Sequence, residues 1–107
     1  MWEEQLKTYN EIASIAKIER KGKTMPYTSS NGYMFSLLNK DAELGIRLSK
    51  EDGKKFLEDY PDSGPLKSHG ATMRGYVLIP KSLLSDKKLV TFYLKKGLNY
   101  VNSLEPK

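Results

Sequence analysis

The sequence has no cysteine and a single histidine among its 107 residues. Without thiols there is no disulfide framework, no thiolate nucleophile and no thiolate metal site. One histidine cannot build a multi-histidine metal centre. The longest apolar run, Tyr76 to Pro80, is far below the ~18–20 residues that cross a bilayer. The opening Met1-Trp2-Glu3-Glu4 is acidic where a signal peptide is basic and then apolar. No repeat, low-complexity tract or linker interrupts the chain. These absences exclude most catalytic designs. They lead us to expect a cytoplasmic, non-enzymatic protein with no cofactor, no metal site and no membrane span.

What is present describes one domain over residues 1–107. At 12.2 kDa the chain has the size of a single folding unit. Its 38% hydrophobic and 10% aromatic residues are too many for a disordered chain. The net charge of +5 is unevenly placed. Residues 1–53 carry eight Lys/Arg against eight Asp/Glu, whereas residues 54–107 carry ten against five. The excess is concentrated in residues 67–96, where seven cations meet only Asp86. Such an excess attracts phosphates or an acidic protein face over a Debye length, ~8–10 Å at physiological salt. A solvated, solubilising surface is the plainer alternative.

Hydrophobic spacing sets the elements. Trp2, Leu6, Tyr9, Ala13 and Ala16 step by four and three, widened by Ile12, Ile15 and Ile18, which predicts a helix over residues 2–20 ending at Gly22. Thr24–Thr28, broken by Pro26, reads as an edge strand. Ser29-Ser30-Asn31-Gly32 reads as a hairpin turn. Tyr33–Leu38 follows as a strand with Tyr33, Phe35 and Leu37 on one face. After a turn at residues 39–42, a strand over residues 43–48 points Leu44, Ile46 and Leu48 inward. Ser49 caps a helix whose apolar side is Phe56, Leu57 and Tyr60, ended by Pro61. Residues 62–71 are either an irregular loop or a strained edge strand around Leu66. Met73–Ile79 is a strand, Lys81–Leu84 a turn, and Asp86 or Ser85 caps a last helix to about Leu104. The order α-β-β-β-α-(β)-β-α predicts a two-layer α+β domain, an antiparallel sheet of four or five strands with helices on one face.

Several of these segments together resemble a known family. They are Lys23-Thr24-Met25, Asn31-Gly32-Tyr33-Met34-Phe35-Ser36-Leu37, Leu44 to Asp52, and Tyr76-Val77-Leu78-Ile79-Pro80 leading through Leu83 and Asp86 into the closing helix. The pattern is similar to that of TfoX amino-terminal domains and the related YjbR-like proteins, over about residues 15–105. It departs from that pattern at Pro26-Tyr27-Thr28, where the family carries Phe-Gly-Gly. The resemblance implies an antiparallel α+β fold, a bacterial cytoplasmic setting, and a regulatory or DNA-associated role without enzymatic chemistry.

Candidate sites follow from charge and residue type. Lys67, His69, Arg74, Lys81, Lys87 and Lys88 are the expected anion or nucleic-acid contacts, because phosphate binding without base readout needs several cations close together. His69, with a reference pKa of about 6.5, is either an anion contact or an ordinary loop residue. The stretch holds one arginine, Arg74, although arginine is the usual bidentate phosphate reader. Tyr76, Phe92 and Tyr93 interleave with the cations but fall at core spacing. Ser29–Gly32 leads into a strand and lacks the glycines of a phosphate loop. Glu51, Asp52, Glu58 and Asp59 share one short helix, which suits a solvated face better than a metal cage. The expected partner is nucleic acid or an acidic protein. The other reading is a chaperone-like homodimer that holds a partner segment along a sheet edge, at Thr24–Thr28 or Leu66.

Overall fold

The computed structural model describes residues 2–22, 25–61, 63–68 and 71–106, without the side chains of residues 65, 67, 68, 71 and 72. Helix α1 (Trp2–Ile15) leads into strands β1 (Tyr27–Ser30), β2 (Tyr33–Leu38) and β3 (Leu44–Arg47). Helix α2 (Lys50–Asp59), strands β4 (Pro65–Ser68) and β5 (Ala71–Leu78), a 3-10 turn at Lys81–Leu83 and helix α3 (Lys87–Ser103) complete the order. The five strands form one sheet in the order β1-β2-β3-β5-β4, every neighbouring pair antiparallel. The expected two-layer α+β architecture is the one observed, and the segment around Leu66 is an edge strand.

Helix α1 stops earlier than Gly22. Lys17 takes a left-handed φ of 59°, and its N–H donates to the Ser14 carbonyl while that of Ile18 donates to Ala13. This pair of bonds is a Schellman stop, usually built on glycine. The turn directs Ile18 back against the core. Beyond it, Lys21 exchanges both backbone bonds with Tyr27, so the chain covers part of the outer edge of β1. The hairpin turn at Asn31 and Gly32 has positive φ at both residues, 56° and 83°, as a tight two-residue turn requires. Ser29 and Ser30 belong to β1 rather than to the turn.

Strand β2 does not alternate as its sequence suggests. Thr28 opposes Ser36 and Ser29 opposes Met34, leaving Phe35 as an extra residue. A bulge of this kind puts two successive side chains on one side. Tyr33, Phe35 and Leu38 therefore join the helix-side core while Met34 and Leu37 join the opposite face. Ser36 also turns to the helices, where its Oγ meets the Tyr9 hydroxyl at 2.5 Å and bonds Thr28 Oγ1. The expectation that Leu37 lies with Tyr33 and Phe35 is thus corrected by one inserted residue.

The three helices bring their buried side chains to one core. Tyr9 and Ile12 of α1, Phe56 of α2, and Val90, Leu94 and Val101 of α3 pack on Phe35, Leu44, Ile46 and Val77 of the sheet. Leu57, expected on the apolar side of α2, is 41% exposed instead. Helix α3 approaches closely at Gly97, where a Cβ would lie 2.8 Å from the Arg47 carbonyl oxygen. On the opposite face Leu66 folds over Gly45, and with Leu37 and Tyr76 it forms a second, smaller core.

Candidate functional site

A cleft opens where the end of β3, the start of α2, the middle of β5 and the last turns of α3 converge. Its volume is about 360 Å³, and Arg47, Lys50, Lys54 and Arg74 bring four cationic side chains to its lining. Ser49, Gly53, Leu57, Gly75, Tyr76 and Tyr100 also contribute, and among the described residues no carboxylate does. Each cation arrives for a separate local reason.

Arg47 ends β3, opposite Tyr76. Its guanidinium lies 5.5 Å from the ring centres of both Tyr33 and Tyr100. Arginine suits such a place because its planar cation stacks on aromatic rings and stays charged. The two rings fix the side chain without neutralising it.

Lys50 and Lys54 stand one helical turn apart on α2, sharing a face with Gly53 and Leu57. Asp52 and Asp59 project from the far side of the same helix, while Glu51 and Glu58 stand three and four residues from Lys54. Asp52 and Asp59 lie instead with Lys55, Phe92, Tyr93 and Lys96 in a smaller cavity between α2 and α3, and Asp52 stands 3.7 Å from Lys96. Ser49 caps the helix, accepting from the Asp52 N–H at 3.1 Å. The cleft therefore faces the positive end of the helix dipole.

Arg74 is re-aimed by an irregular ladder. Pro65 opposes Val77 and Lys67 opposes Thr72, so Leu66 alone stands against Met73, Arg74, Gly75 and Tyr76. Gly75 absorbs the excursion with a φ of 82°, and the side chain of Arg47 passes 3.7 Å from where its Cβ would be. Its carbonyl accepts from the Leu48 N–H at 3.0 Å, which ties the excursion to β3. Tyr76, at the cleft floor, donates its hydroxyl to the Met34 carbonyl at 2.7 Å. Burial pushes its pKa up to about 12, against the opposing pull of Arg47, so the phenol stays neutral.

The residues singled out from the sequence, five cations and His69, are not gathered in this cleft as far as they are described. Arg74 is in it. Lys81, in the 3-10 turn beyond the other end of β5, lines a different cavity with Ala42, Glu43, Pro80 and Leu84. Lys87 spends its charge on Glu11 of α1, whose carboxyl the contact holds below its usual range. Lys88 is exposed at the start of α3. Lys67 lies on the edge strand β4, and His69 lies outside the described residues. Three members of the cleft, Arg47, Lys50 and Lys54, were missed. Their spacing of three and four residues across a strand end and a helix start was the available signal.

A larger groove, about 600 Å³, runs along α1 and is lined by that helix alone, with Glu3 and Glu11 beside Lys7. Its charges are mixed and no second element closes it. Among the described residues no group of three or more potential metal ligands occurs, and no helix is long and apolar enough to cross a membrane. Comparison with protein-family models, with curated proteins and with solved structures returns no match.

Proposed function

We propose that this protein is a non-catalytic module that contacts nucleic acid through its phosphates, using the cleft between β3, α2 and β5. The observation that carries the reading is the convergence of Arg47, Lys50, Lys54 and Arg74 on one cavity, with no carboxylate among the described residues that line it. Four like charges at one place repel one another, so an anion that settles among them gains Coulomb energy that solvent-exposed lysines elsewhere do not offer. Two of the four are arginines, which bind phosphate as a planar fork. The resemblance to TfoX amino-terminal and YjbR-like domains points to the same class of partner. The basic carboxy-terminal half is not the interface as such; Lys54 and Arg74 are its contribution.

The test is binding of a mixed-sequence oligonucleotide at 50 mM salt, followed as salt rises. Four phosphate contacts on a single strand give a slope of log K against log salt of about −2.8, from about −0.7 per contact. Lys54→Gln and Arg74→Gln are each expected to weaken binding several-fold and to flatten that slope by about 0.7. Lys81→Gln and Lys88→Gln are expected to change neither. Equal losses from all four substitutions would show a diffuse basic surface, and no binding at 50 mM salt would end the proposal.

A further inference from the structure

We infer that the cleft is a seat for a compact terminal phosphate, a phosphomonoester or diphosphate at a strand end or on a nucleotide, in preference to the internal phosphodiesters of a strand. This rests on the phosphate reading above and narrows it to one ligand chemistry.

The described cations around the cleft do not continue its charge. A protein that follows a strand lays cations along a groove at the spacing of successive phosphates. Here the neighbouring cations are turned away. Lys96 faces Asp52 on the other side of α2, Lys55 lies with Asp52 and Asp59, and Lys87 is held by Glu11. Lys81 belongs to a separate cavity beyond the end of β5. An extended strand leaving the cleft would meet no second row of positive charge among these residues.

Charge density favours the same ligand. A cavity of 360 Å³ is about 7 Å across, and a strand with one charge per ~3.4 Å places about two charges in it. A terminal phosphomonoester carries about −1.5 to −2 at neutral pH. With the next phosphodiester or a second phosphate it brings about three charges into the same space. That is the closer match to four cations.

The kind of donor points the same way. Arg47 lies against the rings of Tyr33 and Tyr100, and its guanidinium is a planar fork of donors. Lys50 and Glu51 begin α2, where backbone N–H groups have no acceptor within the helix. The Asp52 N–H of that turn donates to the Ser49 side chain. A terminal phosphate has three free oxygens for such donors, whereas an internal phosphodiester has two and is flanked by sugars.

The experiment uses the whole chain at 50 mM salt and four probes. They are a single-stranded 12-mer bearing a 5′-phosphate, the same 12-mer with a 5′-hydroxyl, inorganic pyrophosphate as competitor and as direct ligand by calorimetry, and adenosine 5′-monophosphate as a second competitor. The 5′-phosphorylated strand is expected to bind at least about tenfold tighter than the hydroxyl strand, and pyrophosphate to displace both. Lys54→Gln is expected to abolish the difference, with the circular dichroism spectrum unchanged because Lys54 is exposed. Adenosine 5′-monophosphate displacing the labelled strand as well as pyrophosphate does would assign the site to free nucleotides. Failure to displace would assign it to strand ends or diphosphates. Equal binding of the two strands with no displacement by millimolar pyrophosphate overturns this inference and leaves the nucleic-acid reading standing. Binding of pyrophosphate with neither strand bound does the reverse. No binding of any probe overturns both.

Discussion

The same substitution, glycine to alanine, is expected to act with opposite sign in two helices of this protein. Gly53 of α2 and Gly97 of α3 both occupy helix interiors, where alanine is favoured by about 0.8–1.0 kcal/mol through backbone entropy. At Gly53 the nearest atom to a new Cβ is Val77 Cγ1 at 4.0 Å, an ordinary contact. Gly53→Ala therefore stabilises by about the full propensity term. At Gly97 the new Cβ would stand 2.8 Å from the Arg47 carbonyl oxygen, 3.1 Å from Ile46 Cγ2 and 3.4 Å from Phe35 Cδ2. The first of these is backbone in the middle of a sheet and cannot rotate aside. Relief needs α3 to lift from β3, and overpacking of this kind costs about 1–3 kcal/mol.

The steric term at Gly97 sits at the upper end of that range because backbone is involved, so after the propensity gain Gly97→Ala is destabilising by about 1–2 kcal/mol. Thermal unfolding reads the difference directly. For a domain near 100 residues 1 kcal/mol moves Tm by about 4–8 °C, so the two variants should separate by about 8 °C or more. Gly97→Val, with two further carbons, should fall below Gly97→Ala. The reasoning fails if Gly97→Ala is as stable as Gly53→Ala, since α3 would then not approach the sheet at van der Waals contact. The outcome also bears on the cleft, because the turn of α3 after Gly97 carries Tyr100 to Arg47.

Three further outcomes follow from buried polar groups. Tyr9→Phe removes one hydroxyl but leaves Ser36 bonded to Thr28, costing about 1 kcal/mol, whereas Ser36→Ala strands two buried hydroxyls and costs about 2–3 kcal/mol; a denaturant double-mutant cycle that finds them additive would dissolve the network. Thr91 Oγ1 is buried without a partner among the described residues, so Thr91→Val should stabilise by about 1 kcal/mol, and a loss of stability would show that the hydroxyl is satisfied. Tyr9, Tyr76 and Tyr93 have pKa values pushed up to about 12, burial being the largest cause for each. Because the unfolded phenols ionise near 10, the unfolded state binds fewer protons between pH 10 and 12, and stability falls through that window. Unfolding at stepped pH should show the decline, shallower in Tyr9→Phe, and a flat profile above pH 10 would refute it.

What the sequence disclosed and what it concealed divide along a physical line. Periodicity and caps are local, so α2 with Ser49 at its cap, the Asn31-Gly32 turn, the inward set Leu44, Ile46 and Leu48, and the stop at Pro80 were all legible. The bulge at Phe35 was not, because nothing in Tyr33–Leu38 marks an extra residue. It is set by how β1 and β2 pair across the hairpin. Lys17 in a left-handed turn was likewise hidden, since the pattern continues apolar to Ile18 and Gly22 is the conventional stop. The excursion of β5 around Gly75 depends on its pairing with β4, and the sequence offered an edge strand around Leu66 as one of two readings without its register. Leu57 is exposed because α2 meets the core mainly through Phe56 and Tyr60, which pack with Tyr93.

The charge layout shows why the site escaped a linear reading. Counting along the chain sets a neutral half at residues 1–53 against a basic half at residues 54–107, and the cleft takes two cations from each side of that line. Arg47 and Lys50 belong to a stretch whose acids, Glu51 and Asp52, cancel them in any windowed sum. In the fold helical geometry sends Lys50 and Lys54 to one face and Asp52 to another, where it meets Lys96. The abundant lysines of the carboxy-terminal half, by contrast, are distributed among a separate cavity, an ion pair and the exposed start of α3. The scarcer residue was the better guide. The chain has only three arginines, Arg20, Arg47 and Arg74, and the antiparallel pairing of β3 with an irregular β5 brings two of them to the same cleft. A net charge summed by segment measures solubility; a site is made by the few cations that the topology places together.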